Sequence, residues 1–151
     1  MPAFATQLAA ERPDEVALTD PTKSLRWHEV GDILNRVANG LNALPLGPQR
    51  RIAVFAENAS ETALAHLGGL IGGASTVPVN FHLTADETAY ILRDSETRVL
   101  FVGPETVERG VAAARQAGVE TIVAWGLDEP VDGTIPWSEW LAAAAADEDG
   151  R

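Results

Sequence analysis

The sequence predicts an α/β fold, a mostly parallel sheet flanked by helices. Two observations carry that expectation. Short β-rich runs at 51–56, 75–79, 98–102 and 120–125 alternate with segments of helical period, and turn or capping residues mark the joins. The helical segments run to about ten residues or more, enough for crossovers that return the chain parallel to itself with helices on both faces of the sheet. Sites in such sheets lie beyond the carboxyl ends of the strands. The loops to watch are therefore Glu57-Asn58, residues 80–84, Gly103-Pro104 and the chain from Gly126 onwards.

Residues 5–10 form a short helical segment closed by Arg12-Pro13. Val16-Ala17-Leu18-Thr19 reads as a strand, Asp20-Pro21-Thr22-Lys23 as a turn, and 24–27 as its hairpin partner. Residues 29–44 make the clearest amphipathic helix. Val30, Ile33, Leu34, Val37, Ala38 and Leu41 fall on one face, and Pro45 with Gly47-Pro48 ends it. After the run Ile52-Ala53-Val54-Phe55, Asn58 offers a cap with Glu61 three residues on, an Asx form of the capping box, for a helix over 60–73. A strand follows at 75–79. Thr84 and Glu87 make a second box ahead of a helix at 85–93, and 98–102 is the next strand. Pro104 suits the first turn of a helix running to Ala117, with Gly118 as its C-cap. Residues 120–125 form a strand, 126–136 a loop, 137–146 a last helix and 147–151 a frayed polar tail, leaving 1–146 as the folded unit.

Composition narrows the function. Lys and Arg total 11 against 22 Asp and Glu, a formal net charge of -11 over 151 residues. Such a surface repels phosphate backbones and anionic lipids, which argues against nucleic-acid and membrane-surface binding. The absence of cysteine excludes disulfides, thiolate catalysis and cysteine-ligated metals, and fits a cytoplasmic protein. The longest apolar stretch, 64–79, is interrupted by His66, four glycines and Pro78, so it reads as a buried helix and strand and not as a membrane span.

Three segments, taken in order, resemble the acyl-CoA synthetase branch of the adenylate-forming, AMP-binding enzymes. Leu25-Arg26-Trp27-His28-Glu29-Val30 with Asn35-Arg36-Val37-Ala38-Asn39-Gly40-Leu41 is similar to the family's opening motif. Arg51-Ile52-Ala53-Val54-Phe55-Ala56-Glu57-Asn58, continuing through Leu67-Gly68-Gly69-Leu70-Ile71-Gly72-Gly73-Ala74 to Val77-Pro78-Val79-Asn80, is similar to its second. Leu83-Thr84-Ala85-Asp86-Glu87 with Tyr90-Ile91-Leu92-Arg93-Asp94-Ser95 and Arg98-Val99-Leu100-Phe101-Val102 completes the likeness. One departure is local. Arg26 stands where the family has a serine or threonine, and a guanidinium cannot accept the amide bond, so Glu29 keeps half of a capping box.

The resemblance implies that the whole enzyme uses ATP, magnesium and coenzyme A to convert a carboxylic acid to an acyl-CoA, with AMP and pyrophosphate as co-products. It also implies that the Ser/Thr/Gly-rich phosphate loop with its lysine, the acidic ribose and magnesium residues and the C-terminal lysine all follow this region. The 151 residues supply no such constellation. Adenylation needs cationic or amide donors on phosphorus and a metal on the leaving pyrophosphate. The expectation is an N-terminal segment, part of an AMP-binding domain, with a scaffold role, no cofactor of its own and no activity alone. Its partner would be the remainder of a parent enzyme, and as an isolated chain it would form a homo-oligomer through surfaces left uncovered. The alternative is a free-standing, non-catalytic α/β interaction module.

Each candidate residue also has a plainer reading. Gly68, Gly69, Gly72 and Gly73 lie at the far end of a helix with no lysine near, so they read as close packing and a helix exit and not as a phosphate cradle. His28, His66 and His82 have no metal-ligand spacing. His28 belongs at a helix start, and His66 at a partly buried interface. Asn80 and His82 follow a strand's carboxyl end and are the candidate rim of a substrate pocket, although Asn80 also suits tying down its own loop. Asp86, Glu87, Asp94 and Glu96 read as a solvated face. No serine sits in a Gly-x-Ser-x-Gly elbow. Trp137 and Trp140, three apart, read as an anchor against a partner surface.

Overall fold

A computed structural model describes residues 2–147. Its order is α1 (Pro2–Glu11), β1 (Val16–Thr19), β2 (Ser24–Arg26), α2 (Trp27–Asn42), β3 (Arg51–Phe55), α3 (Ser60–Ile71), β4 (Ser75–Val79), α4 (Ala85–Asp94), β5 (Val99–Val102), α5 (Val107–Ala117), β6 (Thr121–Ala124), β7 (Ile135–Pro136) and α6 (Trp137–Ala142). β1 and β2 form a separate antiparallel hairpin, while the other five strands make one wholly parallel sheet in the order β4-β3-β5-β6-β7.

The period-2 alternation of side chains sorts this sheet into two cores. Ile52, Val54, Val99, Phe101 and Val123 point to the face covered by α2, α3 and α6. Their sequence neighbours Ala53, Phe55, Leu100, Val102 and Ile122 point to the face covered by α4 and α5. The stripe on α2 is buried as its spacing predicts, with Val37, Ala38 and Leu41 fully enclosed.

Of the four glycines at the end of α3 and just after it, three are packing residues. A Cβ on Gly68 would fall 2.5 Å from Val37 Cβ of α2, and one on Gly69 2.5 Å from Ile52 Cδ1 of the sheet. Gly72 lies against the Ala38 backbone, and Gly73, at φ +73°, is the left-handed exit from the helix. Helix and sheet approach more closely here than any side chain would allow.

Several expectations need correcting. The Asn58–Glu61 box does not form, because α3, starting at Ser60 as expected, has Ala59 and not Asn58 at its N-cap and no side-chain cap of its own. Asp20, from the turn between β1 and β2, supplies the acceptor, and its Oδ2 takes the Ser60 amide at 3.0 Å. A carboxylate fixed by its own turn is a stronger acceptor for a helix amide than the neutral Asn58 side chain. α5 begins at Val107, after a turn containing Pro104, because the Thr106 hydroxyl is bonded to Phe55 O and its residue stands at the N-cap. Residues 135–136 pair with β6 as a fifth parallel strand, and α6 stops at Ala142.

Trp137 and Trp140 anchor α6 to this chain's own core, not to a partner. Trp140 packs edge-on to Phe101 at 5.4 Å, and Trp137 does so with Trp125 at 5.8 Å. Arg36 and Asn39 of α2 then hold the end of α6. Arg36 donates to Leu141 O and Ala144 O, and Asn39 Nδ2 to Ala145 O and Asp147 O. Of the expected frayed tail only Asp147 is described, and residues 148–151 lie outside the described residues.

At the start of α2, Glu29 Oε2 accepts the Arg26 amide at 2.7 Å while Arg26 returns no side-chain bond, so half the box is kept. Backbone carbonyls replace the other half, Glu15 O taking the Trp27 amide and Pro13 O the His28 amide.

Candidate functional site

From β3 the chain places β4 on one side and then β5, β6 and β7 on the other. The sheet therefore changes winding direction between β3 and β5, and the crevice outside their carboxyl ends is where open α/β sheets bind ligands. Here that crevice is real. It encloses about 350 Å³ and is lined by Asp20, Lys23, Glu57, Asn58, Glu105 and Trp125, among others. A second hollow of about 320 Å³ lies beyond β6 and β7, with Leu127, Asp128, Pro136 and Trp137 in its wall, and it shares Glu61, Trp125 and Gly126 with the first.

The turn after β5 builds the floor. The buried Thr106 hydroxyl donates to Phe55 O at the end of β3 and accepts from the Gly103 amide at 3.2 Å. Glu105 Oε1 accepts the Glu57 amide. On the opposite wall Lys23 is ion-paired with Glu61. The Ser60 and Thr22 hydroxyls, with the amides of both residues, hold the Asp20 carboxyl well below the ordinary carboxylate range. The Ser60 hydroxyl does so as a nearby dipole, since it is buried without a hydrogen bond of normal geometry.

Asn80 and His82 follow β4, the edge strand, and line neither hollow. Asn80 Oδ1 accepts from the His82 amide at 3.0 Å and meets His82 Nδ1 at 3.2 Å, so Asn80 does tie down its own loop. The His82 ring stacks on Phe81 at 4.1 Å between centroids. His28 is the second residue of α2, and its Nδ1 lies 2.8 Å from Pro13 O. His66 is half-buried in α3, and burial pushes its imidazole below its usual value. Sequence reasoning picked out the loops after β3, β4, β5 and β6, but not Glu105, Thr106 or Arg109. Only strand order, which no local pattern encodes, reveals those three as neighbours of the crevice.

Magnesium nucleotide does not fit this crevice. Glu57, Glu61 and Glu105 face it with a single ammonium, Lys23, which Glu61 already engages. Among the described residues no three His, Asp or Glu side chains converge as metal ligands. A triphosphate would meet carboxylates where it needs donors. No helix among the described residues is long and apolar enough to cross a membrane.

Comparison with known proteins places these features. The family model described as AMP-binding enzyme matches residues 5–149. The chain is 35% identical over 131 residues to phosphinothricin tripeptide synthetase PhsB of Streptomyces viridochromogenes, covering 86% of this chain and 10% of that protein. It is 30% identical over 146 residues to 4-hydroxybenzoate--CoA/benzoate--CoA ligase of Rhodopseudomonas palustris, covering 95% of this chain and 26% of the ligase. The solved Mycobacterium tuberculosis fatty acyl CoA synthetase superposes with a TM-score of 0.79 at 27% identity, covering 97% of this chain and 29% of that one. The chain thus spans about a quarter of the length of the benzoate ligase and a tenth of the tripeptide synthetase.

Proposed function

The chain belongs to the AMP-binding enzyme family, and on that premise we propose that it forms the opening part of the framework of an ATP-dependent acid–thiol ligase of the acyl-CoA synthetase branch. In the whole enzyme a carboxylic acid and ATP give an acyl-adenylate and pyrophosphate, and coenzyme A then captures the acyl group. The observation that carries this reading is the joint coverage. The family match and the superposed synthetase both take in nearly the entire folded unit, the sheet with its switch point included. The proteins it is similar to are ligases and synthetases, which favours this reading over a free-standing interaction module.

The role of this stretch is scaffolding. Its sheet supports the first loops of the site, and the Asn80–His82 loop forms a rim of the acyl pocket. ATP, magnesium and coenzyme A are held by other parts of the ligase, consistent with the acidic lining of the crevice. The setting is cytoplasmic, and the isolated chain self-associates.

An ATP–pyrophosphate exchange assay on the isolated chain, with benzoate, medium-chain and long-chain acids, tests the scaffold role. The expected exchange is zero, and acid-dependent exchange would overturn it. Reading the coding frame that carries the chain tests the ligase assignment, which expects a Ser/Thr/Gly-rich loop with lysine after residue 151. A frame lacking that loop would sink it.

A further inference from the structure

Four residues at and just before the start of α5, Pro104, Glu105, Thr106 and Arg109, touch the loops that leave β3, β4 and β6. Glu105 takes the Glu57 amide and Thr106 bonds to Phe55 O, which fixes the chain leaving β3. Arg109 donates through one guanidinium nitrogen to Phe81 O at 2.8 Å and to Leu83 O, and through the other to Glu105 O at 3.2 Å. Its guanidinium carbon sits 5.2 Å from the centroid of the Phe55 ring. Pro104 lies 3.3 Å from where a Cβ on Gly126 would stand, so the loop after β6 also rests on this turn.

Arg109 is unusual in its electrostatics. It is half-buried in a chain with twice as many acids as bases, yet its partners are carbonyl oxygens and an aromatic face. A planar fork with five donors can bridge carbonyls on two loops at once, and an ammonium cannot do so in the same geometry. The Phe81 and Leu83 carbonyls flank His82. Without Arg109, the bonds that hold this loop are the Asn80 Oδ1 contacts and the turn from the Leu83 amide to Asn80 O.

We propose that Arg109 is the positioning residue of the Asn80–His82 loop, and that Glu105, Thr106 and Arg109 together form one clasp that sets the geometry of the loops leaving β3 and β4. The functional meaning of the clasp rests on the reading of that loop as a rim of the acyl pocket, but the clasp itself is testable without substrate. Backbone order parameters from 15N relaxation on the native chain should be rigid at Phe81, His82 and Leu83, about 0.85. In Arg109→Met, which keeps an apolar stem over Phe55, they should fall below about 0.6 at those three residues while β3 and β5 stay near 0.85. The 15N shift of His82 Nδ1 should move towards that of a free imidazole as its contact with Asn80 loosens.

Arg109→Lys keeps the charge and reaches fewer carbonyls, so both readings should fall between those of the native chain and Arg109→Met. It serves as the test if Arg109→Met does not fold. Unchanged loop order in the variant measured overturns the proposal. So does an equal loss of order in the strands, which would make Arg109 a pillar of the fold and not a positioning group. Neither result bears on the exchange assay or the coding frame, so failure here leaves the ligase reading standing, and the reverse also holds.

Discussion

Gly68 and Gly73 sit five residues apart and are needed for different physical reasons. At Gly68 a methyl group would overlap the branched Val37 side chain, whose Cβ and Cγ1 both lie at 2.5 Å and cannot swing away. Gly68→Ala should therefore cost about 1–3 kcal/mol by overpacking, and Gly68→Asn more. At Gly73 there is open space, and the constraint is φ +73°. Gly73→Ala should cost about 1–2 kcal/mol from the left-handed backbone, and Gly73→Asn should recover much of that because asparagine tolerates this region. Urea unfolding of the four variants checks the order, and an asparagine equally harmful at both sites would refute it. His66 offers a pH test at the same scale. Burial lowers its folded value below the ordinary 6.5, so the unfolded chain binds the proton more readily. Its contribution to stability is then greatest above the unfolded value and declines as pH falls below about 6.5 towards the folded value. Unfolding free energies across that window should show this slope in the native chain and a shallower one in His66→Gln.

At the scale of elements, α3 is capped by another element and α4 by itself, and the two should fail differently. Thr84 Oγ1 accepts the Glu87 amide at 3.3 Å while Glu87 Oε2 accepts the Thr84 amide at 2.9 Å, so Thr84→Ala should cost about 1 kcal/mol and fray α4 alone. Asp20→Ala should loosen α3 and the hairpin together, because one carboxylate serves the Ser60, Thr22 and Lys23 amides. Hydrogen exchange should show faster amides at 60–63 and 22–24 in that variant and at 85–88 in the other. The same contrast explains what was legible. Thr84 and Glu87 are three apart, and the stripe on α2 repeats within 16 residues, so both can be read from the sequence. Asp20 lies 40 residues from Ser60, and no periodicity records that contact. The site followed the same rule. The loops after the strands were legible because every parallel sheet has them. Which pair forms the crevice was not, since β3 and β5 become neighbours only when β4 takes the far side. Trp137 and Trp140 show the limit from the other direction. Their spacing marks an anchor correctly, but whether it grips a partner or the chain's own Phe101 depends on where α6 lands. Trp140→Ala should accordingly cost about 3–5 kcal/mol of folding stability, as loss of a core aromatic does.

At the scale of the whole molecule, charge and uncovered apolar surface oppose one another. The described residues form three ion pairs, whereas the sequence carries an excess of 11 negative charges, so repulsion between copies is largely unrelieved. An apolar patch lies across α1, α2 and α3. Phe4 is 62% exposed, Leu67 42% and Leu70 49%, around a shallow groove of about 170 Å³ that Trp27 and Leu34 also line. The sheet edges are poorer sites for association. β4 carries Pro78, which has no amide to offer, and β7 is two residues long and ends in Pro136. Self-association should therefore run through the groove and be held back by charge. Raising salt from about 0.01 M to about 1 M shortens the screening length from roughly 30 Å to roughly 3 Å, so the weight-average mass by light scattering should rise with salt. Leu67→Glu with Leu70→Glu should keep the chain monomeric at every salt concentration and leave the fold intact, since both side chains point outward from α3. A mass that falls with salt would mean that polar contacts hold the copies together. A native chain that stays monomeric at high salt and high concentration would mean that this apolar surface is too small to drive association by itself.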